Sequence, residues 1–290
     1  MEQYIILKGI AGLGNRLSAL SAAIKYAQTT NRKLIVEWND HWYSSHSSKN
    51  VFFEFFQLVN IDSSLQHTYD IPNYSQKTVA PAMWFNHLTD PSDQVMQFPL
   101  VWKLNDQYLG QKCVVELDRS YTEDIVIFTS YGGLDRKILS HHLKLKPAVQ
   151  KIVCEFAEKY FSESVIGIHV RFTDKQPKQP LKTVFQKIDD LLSLEPTAKI
   201  FLATDNPDII IEFKLRYVNH MLVRNKWFPS DHTPIHRYQS GRIPEEILLD
   251  AVVEMFLLSH CKYLIAQANS SFSRISTCYF KSDSNNIMLW

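Results

Sequence analysis

The sequence predicts an α/β fold in two halves, which we place at residues 1–145 and 146–290. Short apolar runs alternate with segments of helical periodicity near both ends of the chain, and this alternation is typical of parallel sheets. The 290 residues, of which 45% are apolar, are enough for one large domain or two of ordinary size. Glycine is scarce, with 8 residues, yet Gly9, Gly12 and Gly14 lie within six positions, which indicates a tight turn.

The first half begins in the order strand, turn, helix, strand. An apolar run predicts a buried strand over 4–8, and apolar residues at helical spacing predict a helix over 17–30, after the glycine turn. Two further apolar runs predict strands over 34–38 and 125–128. Strands joined by a helix in this way build a parallel sheet.

Between residues 44 and 124 the pattern is irregular but rich in aromatic side chains. They include Phe52, Phe53, Phe55, Phe56, Trp84, Phe85 and Trp102. Two interpretations are open. The rings form an aromatic core beneath long loops, or they form a surface on which sugar rings stack, because one face of a sugar is apolar.

The second half alternates strands and helices regularly from Pro147, which fits the first turn of a helix. The expected elements are helix 147–161, strand 165–170, helix 181–192, strand 199–204, helix 207–217, helix 244–260, strand 263–266 and helix 271–280. In sheets of this kind, ligands bind beyond the carboxyl ends of the strands.

Cations and hydroxyls dominate two of those carboxyl ends. The residues that follow the three predicted strands are Arg171, Thr173, Asp174 and Lys175, then Asp205, then Asn269, Ser270, Ser271, Ser273 and Arg274. The arginine fork matches phosphate oxygens, and hydroxyls at a helix N-terminus add donors where an anion is favoured. The sequence therefore predicts a phosphate ester as the ligand.

The predicted helix 244–260 is apolar nearly all round, which indicates that it is buried. Asp250 and Glu254 are like charges four residues apart on it, and buried carboxylates need hydrogen-bond donors. Two interpretations are open here too. Both carboxylates lie at a solvated edge or pair with arginine side chains, or Glu254 accepts hydrogen bonds from a base or a ribose.

Composition excludes several classes of function. The net charge of +1 gives no global field for gathering nucleic acid or anionic lipid. The N-terminus resembles neither a signal peptide nor an anchor, and no apolar stretch approaches the roughly 20 residues of a membrane span. The four cysteines lack metal-type and redox-type spacing. We therefore expect a cytoplasmic protein.

The glycine turn invites two nucleotide-binding motifs, and both fail. Asn15 and Arg16 stand where a P-loop needs lysine and serine or threonine, and Leu17 stands at the third glycine of a dinucleotide fingerprint. We expect the Asn15 and Arg16 side chains to point from the helix start into the space between the halves. The sequence also contains no Asp-x-Asp, so it offers no obvious site for a divalent metal.

Two segments carry a resemblance to a known family. His169-Val-Arg171-Phe-Thr-Asp174 matches the His-x-Arg-x-x-Asp motif of the GDP-fucose-dependent fucosyltransferases, and Gly12-Leu-Gly14-Asn15-Arg16 resembles their N-terminal turn. Within that superfamily the chain is most similar to the rhizobial nodulation α1,6-fucosyltransferases and, more distantly, to core α1,6-fucosyltransferase. This closer similarity rests on segments 34–38, 164–171, 199–205 and 254–261.

The resemblance implies a glycosyltransferase B-type fold, in which two Rossmann-like halves face a cleft. The first half then lies on the acceptor side and the second binds the GDP-sugar, without a cofactor or a divalent metal. The resemblance further implies that Arg171 contacts the β-phosphate, Ser270 helps to bind the diphosphate and Glu254 contacts the nucleoside. The other residues that we assign to the donor side are His169, Asp174, Asp205, Ser271 and Arg274.

Inverting transfer requires an acceptor hydroxyl to attack the anomeric carbon while GDP leaves with growing negative charge. Without a metal, Arg171 must stabilise that charge, helped by Lys175. A base is also needed, and core α1,6-fucosyltransferase has a glutamate where this chain has Gln179, which cannot take a proton. Glu37 and Asp40, at the end of the second predicted strand, are the candidates, and we predict Asp40.

The sequence is thus interpreted as a fucosyltransferase that moves L-fucose from GDP-fucose to an oligosaccharide, in α1,6 linkage to N-acetylglucosamine. An α1,2-fucosyltransferase or another GDP-sugar transferase is an alternative. Gln179 keeps a third interpretation open, a catalytically silent GDP-sugar-binding protein. The acceptor is a chitin oligosaccharide, a lipopolysaccharide intermediate or an N-glycan-like host glycan, since the resemblance covers residues 5–42 and 145–280 and not the middle segment.

Overall fold

The structure, a computed structural model, divides into two compact units. It describes residues 2–97, 101–104, 107–112, 115–129, 133–161, 164–231, 233–235 and 241–290. The first unit runs to Lys146 and includes Ile243–Glu245, and the second unit comprises Pro147–Arg242 and Glu246–Trp290.

The first unit is built around a parallel sheet with the strand order β2-β1-β8-β4. Two small antiparallel sheets, β3-β9 and β5-β6-β7, accompany it. The elements are β1 (Tyr4–Lys8), α1 (Leu13–Thr30), β2 (Lys33–Glu37), α2 (Phe52–Phe55), β3 (Phe56–Leu58), β4 (Val79–Ala80), α3 (Ser92–Val95), β5 (Met96–Gln97), β6 (Val101–Leu104), β7 (Gln107–Lys112), β8 (Ile125–Phe128), α4 (Arg136–His142) and β9 (Leu143–Leu145).

The second unit contains a five-stranded parallel sheet with the order β12-β11-β10-β13-β14. Its elements are α5 (Pro147–Tyr160), β10 (Val165–Val170), α6 (Leu181–Leu194), β11 (Lys199–Thr204), α7 (Pro207–Arg216), β12 (Met221–Leu222), α8 (Pro244–Leu258), β13 (Tyr263–Ala266), α9 (Ser271–Ser276) and β14 (Ile287–Leu289). The chain passes from β10 outward to β12 and then crosses to β13 on the other side of β10. The strand order therefore reverses between β10 and β13, where open α/β sheets bind ligands.

The central strand of each parallel sheet is covered on both faces. Every residue of β1 and β10 is buried. This agrees with the near-continuous apolar sequence of parallel strands. The predicted α/β class with parallel sheets is confirmed. Among the described helices, none combines the length and the apolar composition that crossing a membrane requires.

Helix ends differ from the prediction in instructive ways. α1 begins at Leu13 rather than at residue 17, because Gly12, in an extended conformation, is its N-cap and Gly14 lies within its first turn. α8 ends at Leu258 and α9 ends at Ser276, both earlier than predicted. The two-residue strands β4 and β12 were not predicted, since runs this short carry no periodicity.

Most aromatic side chains of the irregular segment belong to the core. Phe52, Phe56 and Trp84 are completely buried and Phe55 nearly so, as the core interpretation predicted. Phe53 is half-buried, and the side chain of Trp102 lies outside the described residues. Phe85 differs, because its side chain is 51% exposed.

Candidate active site

The carboxyl ends of three adjacent strands bring predicted site residues together with Gln267, which was not among the residues predicted from the sequence. Arg171 follows β10, Asp205 follows β11 and Gln267 follows β13. These strands are neighbours in one parallel sheet, so the three residues lie at one edge of it, at the point where the strand order reverses.

Arg171 is held in place through its side chain and its backbone. Its Nε and Nη2 donate to the two carboxylate oxygens of Asp174, at 2.6 and 2.5 Å. Its backbone N–H donates to Oε1 of the buried Gln267 at 2.7 Å. Both side chains of the ion pair are partly exposed, 21% for Arg171 and 12% for Asp174. The guanidinium is thus oriented in advance yet open to solvent, as an anion-binding group needs to be.

Asp205 shapes the loop that carries Arg171. Its carboxylate accepts the backbone N–H groups of Phe172, at 2.7 Å, and Thr173, at 3.3 Å. The hydroxyl of Thr173 donates back to the Asp205 carbonyl at 2.9 Å. Burial raises the pKa of Asp205 although these backbone donors lower it. The Asp205 side chain therefore fixes the conformation of this loop. Lys175, on the same loop, is exposed, and partial desolvation together with the charge of Arg171 lowers its pKa.

His169 is a buried neutral imidazole at the end of β10. Burial, reinforced by the charges of Arg171 and Lys226, lowers its pKa to about 3. Its Nδ1 lies 2.7 Å from Oγ of Ser273, and its ring stacks on Phe272 with the centroids 4.7 Å apart. The imidazole therefore has a fixed orientation and no charge at neutral pH.

Ser270 presents a buried hydroxyl with no partner. It is the N-cap of α9, but its side chain caps no backbone N–H. Its Oγ hydrogen-bonds to no atom of the described residues, although Ser270 is completely buried. A buried hydroxyl without a partner carries a free-energy cost that a bound ligand could remove. Ser271 is partly exposed and Arg274 is exposed in the same segment.

The two carboxylates of α8 both pair with cations, and only one of these cations is an arginine. Arg224 pairs with Asp250, as the first interpretation allowed. Lys226 donates to Glu254 at 2.6 Å and to the carbonyl of Thr204, also at 2.6 Å. The Lys226 and Glu254 side chains are 8% and 6% exposed. Burial raises the pKa of Glu254 against the opposing effect of Lys226.

Sequence reasoning missed two residues at this edge, Lys226 and Gln267. Gln267 directly follows β13, so the rule that ligands lie beyond strand ends could have found it. Lys226 lies in an irregular segment after a strand of only two residues, where the sequence offers no signal.

In the first unit, the glycine turn makes room for an ion pair. Arg16 donates from Nη1 and Nη2 to the two oxygens of Asp40, both at 2.7 Å, and from Nε to the carbonyl of Ala11. A Cβ atom on Gly9 would lie 2.1 Å from Arg16 Nη1, so only glycine fits there. The Arg16 side chain is completely buried, and Asp40 engages its guanidinium within the first unit. Asn15 is partly exposed.

Both carboxylates considered as the base are engaged in such contacts. Asp40 is buried against Arg16. Burial raises the pKa of Glu37, but Lys8, His67 and the Thr68 N–H outweigh this effect and lower the pKa to about 2. The base role of Asp40 stays a prediction. Among the described residues, no three histidine, cysteine or acidic side chains are grouped so as to hold a metal ion.

Comparison with known proteins identifies similar sequences and folds. The chain matches the family model of nodulation protein Z (NodZ) over residues 1–283. The nodulation protein Z of Azorhizobium caulinodans is 23% identical over 93% of this chain and 87% of its own length. The structural match to fucosyltransferase NodZ from Bradyrhizobium has a TM-score of 0.65 at 17% identity, over 96% of this chain and 93% of that one.

A second solved structure adds a ligand. It is a NodZ α-1,6-fucosyltransferase soaked with GDP-fucose, with a TM-score of 0.64 at 17% identity, over 96% of this chain and 93% of that one. These likenesses confirm that the fold of this chain is that of the B-type fucosyltransferases.

Proposed function

The chain belongs to the nodulation protein Z family, and from this premise we propose that it is an inverting fucosyltransferase. It transfers L-fucose from GDP-fucose to a hydroxyl of an oligosaccharide, in α1,6 linkage to N-acetylglucosamine. The observation that carries the proposal is the preorganised Arg171, braced by Asp174 and Gln267 where the strand order reverses. We further propose that the first unit binds the acceptor and the second unit binds the donor.

In the donor site that we propose, some residues bind the diphosphate and others bind the nucleoside. Arg171 binds the β-phosphate, and the unpartnered hydroxyl of Ser270 donates to the diphosphate, with Ser271 and Arg274 beside it. Glu254 binds the nucleoside, and Lys226 holds its carboxylate in place. His169, which is uncharged at neutral pH, adds a hydrogen-bonding group to this site.

The reaction requires stabilisation of the leaving diphosphate. As the acceptor hydroxyl attacks the anomeric carbon, negative charge grows on GDP, and Arg171 and Lys175 face that charge in our proposal. The Asp174 carboxylate fixes one edge of the Arg171 fork in advance, so little reorganisation is needed in the transition state. We propose that this arrangement replaces a divalent metal, and that Asp40 remains the candidate base. A cytoplasmic location also remains a proposal.

One experiment separates this function from its main competitor. Incubation of the protein with GDP-fucose and a glycan array, with and without a chelator of divalent metals, should give fucosylated products in both cases. Binding of GDP in a calorimeter without turnover on any glycan would instead favour the silent binding protein that Gln179 keeps open. Mapping the linkage of the product by mass spectrometry distinguishes α1,6 from α1,2 transfer.

A further inference from the structure

Two exposed aromatic rings stand out in the first unit. The described part of residues 2–146 exposes two large apolar side chains, Tyr69 at 57% and Phe85 at 51%. Their chain neighbours Thr68 and Trp84 are completely buried, so both rings project from well-anchored backbone. Both rings are therefore available to a ligand, and the core of the unit accounts for neither of them.

One buried ion pair anchors both loops at the carboxyl ends of β1 and β2. Lys8 and Glu37 end these two strands and pair with each other. Glu37 accepts the N–H of Thr68 at 3.1 Å and its hydroxyl at 2.9 Å. Lys8 donates to the carbonyl of Asp90 at 3.2 Å, and its ammonium lies 6.0 Å from the ring centroid of Trp84. The segment with Tyr69 and the segment with Phe85 therefore lie at the same edge of the sheet.

The Tyr69 ring is fixed before any ligand arrives. It stacks on the His67 ring with centroids 4.6 Å apart and planes 10° from parallel. His67 in turn lies 3.7 Å from Glu37, measured between Nδ1 and Oε1. A ring held in this way loses little conformational entropy when a ligand stacks on it.

Polar groups accompany the rings on the same two segments. Asp70 follows Tyr69, and its carboxylate is exposed and accepts backbone N–H groups of its own turn. His87 and Asp90, which follow Phe85, pair through Nδ1 and Oδ2 at 2.8 Å. Apolar ring faces with carboxylates and imidazoles beside them match a pyranose, which has an apolar C–H face and a rim of hydroxyls.

We propose that this surface, formed by Tyr69, Phe85 and the polar side chains beside them, is a subsite for an N-acetylglucosamine ring of the acceptor oligosaccharide. The proposal rests on the function proposed above. It gives a role to an exposed phenylalanine that the core does not explain, and it assigns the acceptor to residues 67–90.

The test compares Tyr69→Ala and Phe85→Ala with two control variants. Tyr69→Phe keeps the stacking ring, and Leu215→Ala removes an apolar side chain that is 76% exposed on α7. For each protein, calorimetry in the presence of GDP gives the Kd for chitin oligosaccharide, and initial rates give its KM. The Kd for GDP and the hydrolysis of GDP-fucose without acceptor are measured in parallel.

We expect each alanine variant to raise the Kd and the KM for chitin oligosaccharide by about three- to tenfold, the range for one aromatic stacking contact. Both control variants should match the wild type, and GDP binding and hydrolysis should not change. Wild-type values of Kd and KM in both alanine variants would overturn the subsite, as would failure of the wild type to bind chitin oligosaccharide. Failure of the wild type to use GDP-fucose, while it still binds the oligosaccharide through these rings, would overturn the proposed function alone.

Discussion

The side-chain oxygen of Gln267 accepts the backbone N–H of Arg171 at 2.7 Å, and this bond joins the ends of β13 and β10. Gln267 is completely buried, and its Nε2 donates to Asn269 at 2.8 Å. The loop after β13, which carries Ser270, is thereby tied to the loop after β10, which carries Arg171. The two groups that we assign to the diphosphate are therefore positioned relative to each other by one buried amide.

Replacement of Arg171 by alanine tests the assignment most directly. Loss of one preorganised donor typically lowers turnover by about 10²–10³-fold. We expect Arg171→Ala to lower kcat for fucose transfer by at least this factor while the circular dichroism spectrum and the melting temperature stay close to those of the wild type.

Arg216 provides a matched control for that experiment. It forms an ion pair with Asp189 in the same unit, but both side chains are about half exposed, at 47% and 42%. Exposed pairs of this kind contribute little to stability, because solvent screens them. Arg216→Ala should therefore keep wild-type turnover, and near wild-type turnover in Arg171→Ala would refute the role of Arg171.

Ser270→Ala should separate ligand binding from stability. The Ser270 hydroxyl is buried without a partner, so its removal leaves the ligand-free protein at least as stable as the wild type. A hydrogen bond to a charged group contributes about 1.5–3 kcal/mol, and its loss should raise the Kd for GDP about tenfold or more. Differential scanning fluorimetry and calorimetry measure the two effects. Ser276→Ala, in the same helix but with Oγ bonded to the Phe272 carbonyl, is the control that should leave the Kd unchanged.

The buried His169 predicts a pH dependence of stability. Its pKa is about 3 in the folded protein against an ordinary 6.5, so between these values the unfolded chain binds a proton that the folded protein does not. Stability is then lost as the pH falls below about 6.5, by about 2 kcal/mol at about pH 5. Urea unfolding at about pH 7.5 and pH 5 gives the free energy of unfolding at each pH. Between these pH values, we expect it to fall by about 2 kcal/mol less in His169→Gln than in the wild type. Equal losses in the two proteins would mean that His169 is not the group responsible.

The strand-end residues were accessible to sequence reasoning, but the partners of several were not. Apolar runs predicted the central strands within a residue or so, since parallel strands buried on both faces allow few alternatives. Which side chains meet across the sheet depends on strand order, which periodicity does not encode. Asp174 and Arg171 are three residues apart and could be paired by inspection. Lys226 and Glu254 are 28 residues apart, and nothing in the sequence links them.

Arg16 is another residue whose partner the sequence did not predict. An arginine at a helix start beside glycines suggests a group aimed at a ligand, and the sequence offers no sign of the buried Asp40 that captures it. The glycine at position 9 is the one indication, because its missing side chain is the space that the guanidinium fills.

Asp40→Asn tests whether this carboxylate is a structural partner, a base or both. Asp40 and Arg16 form a buried bidentate pair, and removing one charge from such a pair typically costs about 3–5 kcal/mol because the other charge stays buried. We expect that loss in urea unfolding, whereas Glu2→Gln should unfold like the wild type, because the pair of Glu2 with Lys33 is exposed and screened by solvent. In the pH profile of kcat/KM, a base contributes the acidic limb. Because we propose Asp40 as the base, we expect the limb to disappear from the activity that Asp40→Asn retains, and an unchanged limb would remove Asp40 from this role.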